Sequence, residues 1–181
     1  MPFVRLIRHP SSAAAPSITL EAAGLLLGES TVRFSYRVSG DLGRIRLPAE
    51  RPGLRTDGLW RHTCFEAFLS RDEGGYLELN FSPSGAWAAY TFDGYRSGMK
   101  PLEVKPPAIT CRTDGATLTL QCTVELGSAD ADAALGLAAV IEDVDGHVSY
   151  WALAHPRTRP DFHDKGAWMS KLEHRRREEH V

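Results

Sequence analysis

The chain has 181 residues, 43% hydrophobic and 24% charged, with a formal net charge of −2 at pH 7. That length suits one domain with a sizeable core and is short for two, so a single domain over residues 1–181 is expected, with a core over about 15–172 and a short charged C-terminal tail. The near-neutral balance gives no electrostatic pull onto nucleic acid or an anionic membrane, and no apolar run approaches the ~20 residues of a membrane helix.

The start, Met1-Pro2-Phe3-Val4-Arg5, is too polar for a secretory signal. A first strand is expected over 18–27 and a second, stronger one over 31–39. In the latter Val32, Phe34, Tyr36 and Val38 share one face while Arg33, Ser35 and Arg37 share the other, the period of two of a half-buried strand. A long connector rich in Pro, Gly and Arg follows over 44–59, and a second long connector runs over 93–107. Long loops in a compact β domain often carry function. Between them lie strands at 64–70, 76–81 and 86–92, separated by Glu73-Gly74-Gly75 and Pro83-Ser84-Gly85.

The segment 117–124 repeats the alternation, with Leu118, Leu120, Cys122 and Val124 opposite Thr117, Thr119, Gln121 and Thr123. Asp114-Gly115 before it reads as a two-residue hairpin turn pairing Thr113 with Ala116, which sets Cys111 across from Leu118. Cys111 and Cys122 are then not aligned for a disulfide. Three cysteines, an odd count, and no signal favour free thiols in a reducing cytoplasm. Residues 129–135 suit a helical turn or two, 137–143 and 148–153 suit strands, and the tail after Trp168 suits a short helix. Its Arg175-Arg176-Arg177 triplet beside acids reads as a solvated terminus. Many short strands joined by tight turns make the chain all-β, and the expected architecture is an antiparallel two-sheet β-sandwich.

Alternation also orients side chains of chemical interest. With Phe65, Ala67 and Leu69 turned to the core, Glu66 faces the other way; with Leu77, Leu79 and Phe81 turned in, Tyr76, Glu78 and Asn80 face away. Glu66, Glu78 and Asn80 are thus expected on one sheet surface, with Trp60 at its margin. An aromatic platform beside carboxylates and amides suits a sugar, whose apolar face packs on a ring and whose hydroxyls need fixed partners. The structural alternative is a Trp that plugs one end and carboxylates that are merely solvated. A pair of glutamates also raises glycoside hydrolysis, which needs two carboxyls at defined separation across a cleft. Further on, His155, Asp161, His163 and Asp164 fall within ten residues. Their spacing matches no usual zinc pattern; Asp161 and His163 are the metal candidates, with calcium held by loop carboxylates an equal option and a hydrogen-bonding, structural histidine the alternative.

These residues carry a family resemblance. Leu59 to Leu69 resembles the Trp-x-x-Asp-Ser-x-Glu-x-Phe strand opening of family 9 carbohydrate-binding modules, and Trp151 to Trp168 resembles their C-terminal signature. With its Cys-Phe-Glu-Ala-Phe, Asn-Phe-Ser-Pro-Ser-Gly-x-Trp and Pro-Asp-Phe-His blocks, the chain is similar to bacterial DOMON-like proteins over roughly 15–172. The resemblance implies a β-sandwich with a ligand held between two aromatic side chains. Trp60 matches the first, Phe162 stands where a Trp is expected for the second, and Glu66 matches a polar residue near the sugar. Glu78 and Asn80 lie on the strand that supplies further polar contacts, with Arg96 added as a polar contact. Thr63 and Cys64 replace the Asp and Ser of the motif, departures that bear on the ligand more than on the fold. Some relatives bind haem b through a Met and a His, for which Met99 and His155 are the candidates here.

The expected function is a non-catalytic domain that binds a small molecule or glycan, with haem-based electron transfer and a small glycoside hydrolase as alternatives. The expected partner set is one such ligand, without nucleic acid or membrane, in a cytoplasmic monomer or weak dimer.

Overall fold

The computed structural model describes residues 2–12, 15–127 and 132–174. Its strands are β1 (Val4–Arg8), β2 (Ile18–Leu26), β3 (Thr31–Gly40), β4 (Cys64–Ser70), β5 (Tyr76–Phe81), β6 (Trp87–Phe92), β7 (Lys100–Pro101), β8 (Ala108–Asp114), β9 (Thr117–Glu125), β10 (Ala134–Glu142), β11 (Val148–Ala152), β12 (Ser170–Lys171) and β13 (Glu173–His174). Between them the described residues hold only short 3-10 turns, and no helix is long and apolar enough to cross a membrane.

The strands follow one hydrogen-bonded path, β7-β6-β5-β4-β10-β11-β1-β2-β3-β9-β8, antiparallel throughout. The two sheets expected from the sequence are thus joined. The joint is β1, whose residues Val4, Arg5 and Leu6 pair with β2 while Ile7 and Arg8 pair with β11. The path curls into a half-barrel, so that distant strands meet across one core. Phe34 on β3 stacks on Phe81 of β5 at 5.7 Å, and Tyr36 on β3 lies 4.9 Å from Phe65 of β4. The alternating sets Val32, Phe34, Tyr36, Val38 and Phe65, Ala67, Leu69 all turn into this core.

The Tyr36 hydroxyl, fully buried, donates to the Glu66 carbonyl at 2.7 Å and ties β3 to β4 across the core. Tyr36→Phe keeps the ring and removes this bond, so a loss of about 1 kcal/mol is expected. Urea denaturation with an unchanged midpoint would show that the bond contributes nothing to stability.

Three local expectations change. The β8–β9 turn is Gly115-Ala116, because Asp114 pairs with Thr117, and Cys111 therefore faces Leu120 rather than Leu118. Gly115, at φ +57°, takes the left-handed position that this tight turn demands. Cys64, Cys111 and Cys122 are free. Of the helical stretch expected at 129–135, residues 129–131 lie outside the described residues, while Ala134 and Leu135 open β10, where pairing with β4 and β12 outweighs local preference. After Trp168 the chain is extended, not helical: β12 pairs with β10 and β13 with β2. The basic triplet at 175–177 and the rest of the tail to residue 181 lie outside the described residues.

The outer face of β4, β5, β6 and β10 is not left to solvent. Phe68, Tyr76, Ala88, Tyr90, Phe92 and Ala138 build a second, smaller apolar layer that the C-terminal segment covers with Ala167 and Trp168. Asp164 caps the 3-10 turn Lys165–Ala167 by accepting from the Gly166 N–H at 2.8 Å. The Trp168 ring then stacks on Phe68 at 5.9 Å. Gly136 makes room for it: a Cβ there would lie 2.3 Å from Trp168 Cδ1.

Candidate functional site

On this covered face the register sets Glu66 opposite Asn80 and Ala138, and Glu78 opposite Phe68 and Tyr90. Glu66 and Glu78 are therefore diagonal neighbours, within reach of each other. Their exposures are 3% and 5%, and that of Asn80 is 0%. The solvated carboxylates considered from the sequence are thus buried instead, because loops roof the sheet.

Three loops roof it. The 3-10 turn Leu59–Arg61 ahead of β4 brings in Trp60, which is 38% exposed and meets Tyr90 edge-on at 6.3 Å. The loop after β6 brings in Arg96 and Met99, and the loop after β11 brings in Pro160, Phe162 and His163. Together with Glu66, Glu78, Phe92, Val140 and Tyr150 these side chains enclose a cavity of about 370 Å³. That is within the ~300–1,000 Å³ usual for small-molecule sites. Hollows of about 380 Å³ and 440 Å³ lie elsewhere, but among the described residues no buried side-chain atom without a partner lines them.

The polar floor is incompletely paired. Asn80 Nδ2 donates to Glu78 Oε1 at 2.8 Å, which leaves Asn80 Oδ1 buried without a partner. Glu66 Oε1 is also buried and unpartnered. Burial, then the nearby Glu78, pushes the Glu66 carboxyl well above the ordinary range, against a smaller pull from Arg96. Burial raises Glu78 too, opposed by the Asn80 bond and by Arg96. His163 is held neutral: burial, then Arg96, lowers its pKa to about 4. Its Nδ1 shares a hydrogen bond of 2.7 Å with the Tyr76 hydroxyl, and its Nε2 lies 3.7 Å from Glu78 Oε2.

The loops after β6 and β11 lock together at Asp161. Its carboxylate accepts from the Tyr95 hydroxyl, from Arg96 Nη2 at 2.8 Å and from the His163 N–H at 3.1 Å. Burial would raise this carboxyl, but those bonds win and hold it below its ordinary value. Arg96 sits at φ +50°, a left-handed conformation that costs a non-glycine residue roughly 1–2 kcal/mol. It is held there by the Asp161 pair and by its own N–H, which donates to Tyr76 Oη at 3.2 Å. Strain of this kind persists only where the surroundings over-determine it.

Five of the six ligand-binding candidates, Trp60, Glu66, Glu78, Arg96 and Phe162, line this cavity, and Asn80 lies beneath it bonded to Glu78. Phe162 leans on Phe68 at 6.4 Å and on Tyr150 at 6.2 Å. Tyr150 escaped sequence reasoning. It alternates with Ser149 and Trp151 on β11, but only the topology brings β11 beside β10, with Val140 opposite Tyr150.

The metal and haem candidates fare differently. Asp161 already serves three donors, one of them a guanidinium, so it has little left for a calcium ion. Among the described residues a tighter group of ligand atoms is Asp143, Asp145 and His147, within 4.8 Å of one another, but Arg44 pairs with both aspartates. Met99 lines the cavity, whereas His155 turns its Nε2 to the Ile7 carbonyl at 2.8 Å and packs on His9 at 4.8 Å. Met99 and His155 thus do not converge on one site, and the residues present do not fit haem held by that pair.

No protein-family model and no curated protein matches the chain. Among solved structures it is similar to the crystal structure of "a putative carbohydrate-binding protein" from Bacteroides uniformis ATCC 8492, with 13% identity and a TM-score of 0.63. The likeness covers 97% of this chain and 87% of that one, and at this identity it is a likeness of fold.

Proposed function

We propose that this chain is a non-catalytic domain, a β-sandwich of the DOMON-like kind, that binds a carbohydrate or glycan-like small molecule in the cavity beneath Trp60 and Phe162. The observation that carries the proposal is an aromatic-walled cavity lined by Glu66, a carboxyl with unfilled hydrogen-bonding capacity. A buried acceptor without a donor costs roughly 1–3 kcal/mol, and a polyhydroxylated ligand supplies donors where rings supply a stacking face. The Bacteroides uniformis protein, similar in fold, points to the same ligand class by its description. Three free thiols agree with a reducing, cytoplasmic setting.

Isothermal titration against a panel of neutral, acidic and amino oligosaccharides tests the proposal. Trp60→Ala should weaken the tightest member by about 2 kcal/mol, roughly thirtyfold, the scale of an aromatic hot spot. A panel without a binder, or an unchanged affinity in the variant, overturns it.

A further inference from the structure

The cavity holds more acid than base. Glu66 and Glu78 both line it. The guanidinium at its edge, Arg96, is committed to Asp161 at 2.8 Å, and His163 is neutral. Among the described residues lining the cavity, the cation left to offset an ionised Glu66, whose Oε1 is buried and unpartnered, is Arg96, and its charge is shared with Asp161. A neutral occupant leaves the acid pair either protonated or uncompensated, and an uncompensated buried carboxylate is costly. An ammonium group brings one positive charge and three donors, enough to reach two carboxylates at once. Trp60, Phe92, Tyr150 and Phe162 also line the cavity, and aromatic rings attract cations.

Building on the sugar-binding proposal, we infer that the ligand is an amino sugar whose free ammonium group sits between Glu66 and Glu78 while its ring packs under Trp60 and Phe162. A hydroxyl at the amine's position carries no charge and one donor. An N-acetyl group carries no charge either and sets a carbonyl oxygen beside two acidic groups. Discrimination among the three is thus electrostatic, and a site built on a charged partner rejects the uncharged analogue strongly because its own buried group is left unpaired.

Three trimers of matched length test this by isothermal titration of the full chain: glucosamine, N-acetylglucosamine and β-1,4-linked glucose, with choline as an ammonium lacking a sugar ring. The glucosamine trimer should bind at least tenfold more tightly than the other two trimers and than choline. Glu66→Gln, which keeps the shape and removes the charge, should erase that preference, bringing the glucosamine trimer to within about threefold of the other two. Equal affinity for the three trimers, or preference for a neutral one, overturns the amino-sugar inference and leaves sugar binding standing. Tighter binding of choline than of any trimer overturns both. If none of the four binds, the inference falls, and sugar binding falls with it when the wider oligosaccharide panel is also blank. Should Glu66→Gln fold poorly, the comparison among trimers in the parent chain decides alone.

Discussion

Trp168→Ala is expected to lose about 3–5 kcal/mol of stability, the range for truncating a large buried aromatic. Trp168 is buried, stacked on Phe68 at 5.9 Å and edge-on to Tyr76 at 5.3 Å, and its indole N–H donates to the Phe162 carbonyl at 2.8 Å. The substitution removes that packing and that donor together. With typical domains stable by only ~5–15 kcal/mol, this is a large share. Urea denaturation should show a lower midpoint with an unchanged slope. Ligand affinity should fall as well, because the same indole anchors the segment that carries Phe162 and His163 into the cavity. Gly136→Ala approaches the defect from the other side: its methyl group collides with the Trp168 ring, at an expected cost of roughly 1–3 kcal/mol from overpacking. A Trp168→Ala variant with parental stability would mean that the outer apolar layer is dispensable.

Glu66→Gln should become more stable than the parent as pH rises. Burial, then repulsion from Glu78, holds the native Glu66 carboxyl well above its ordinary value of 4.5, whereas the unfolded chain titrates normally. The native state thus binds this proton more tightly than the unfolded state. Its contribution to stability is fully present below about pH 4.5 and is lost as pH climbs through the raised native value. Glutamine has no proton to lose, and it also relieves Glu78 of a charged neighbour. Denaturation curves collected from pH 4 to pH 9 should run parallel for parent and variant at the acid end. They should separate above it, with the variant the more stable. Curves that stay parallel across the whole range would remove burial of a titrating Glu66 as the cause.

How much of this was legible in the sequence depends on the residue. Strict alternation marked β3 and β9 because each buries one face completely, and the same period turned Glu66, Glu78 and Asn80 away from the main core. The strand β1 left no comparable signal. Of its five residues only Leu6 is buried, so no period of two emerges, yet β1 is the strand that joins the two halves of the path. The β8–β9 turn moved by one residue because either Asp114-Gly115 or Gly115-Ala116 could supply a positive φ. Cross-strand pairing with β9 selects between them, and that choice is not local.

For the candidate site the division is similar. Residue types and spacing pointed to Trp60, Glu66, Glu78, Arg96 and Phe162, and alternation put the two glutamates and Asn80 on a common surface. The sequence by itself determined that the chain is all-β and which face of β4 and β5 carries acids and an amide. Only the tertiary structure decided that this face is buried. Burial comes from the short turn that holds Trp60 just ahead of β4 and from segments farther along the chain, Arg96 after β6 and Phe162 to Trp168 after β11. The position of those segments over the sheet results from strand order and from long-range bonds such as Arg96 to Asp161 and Trp168 to Phe162. A carboxyl group has an ordinary pKa on an open sheet and a raised one under a roof, so the chemistry of Glu66 and Glu78 is a property of that roof. Local periodicity governs the direction in which a side chain leaves its strand. What that side chain meets is set by contacts between residues distant in sequence.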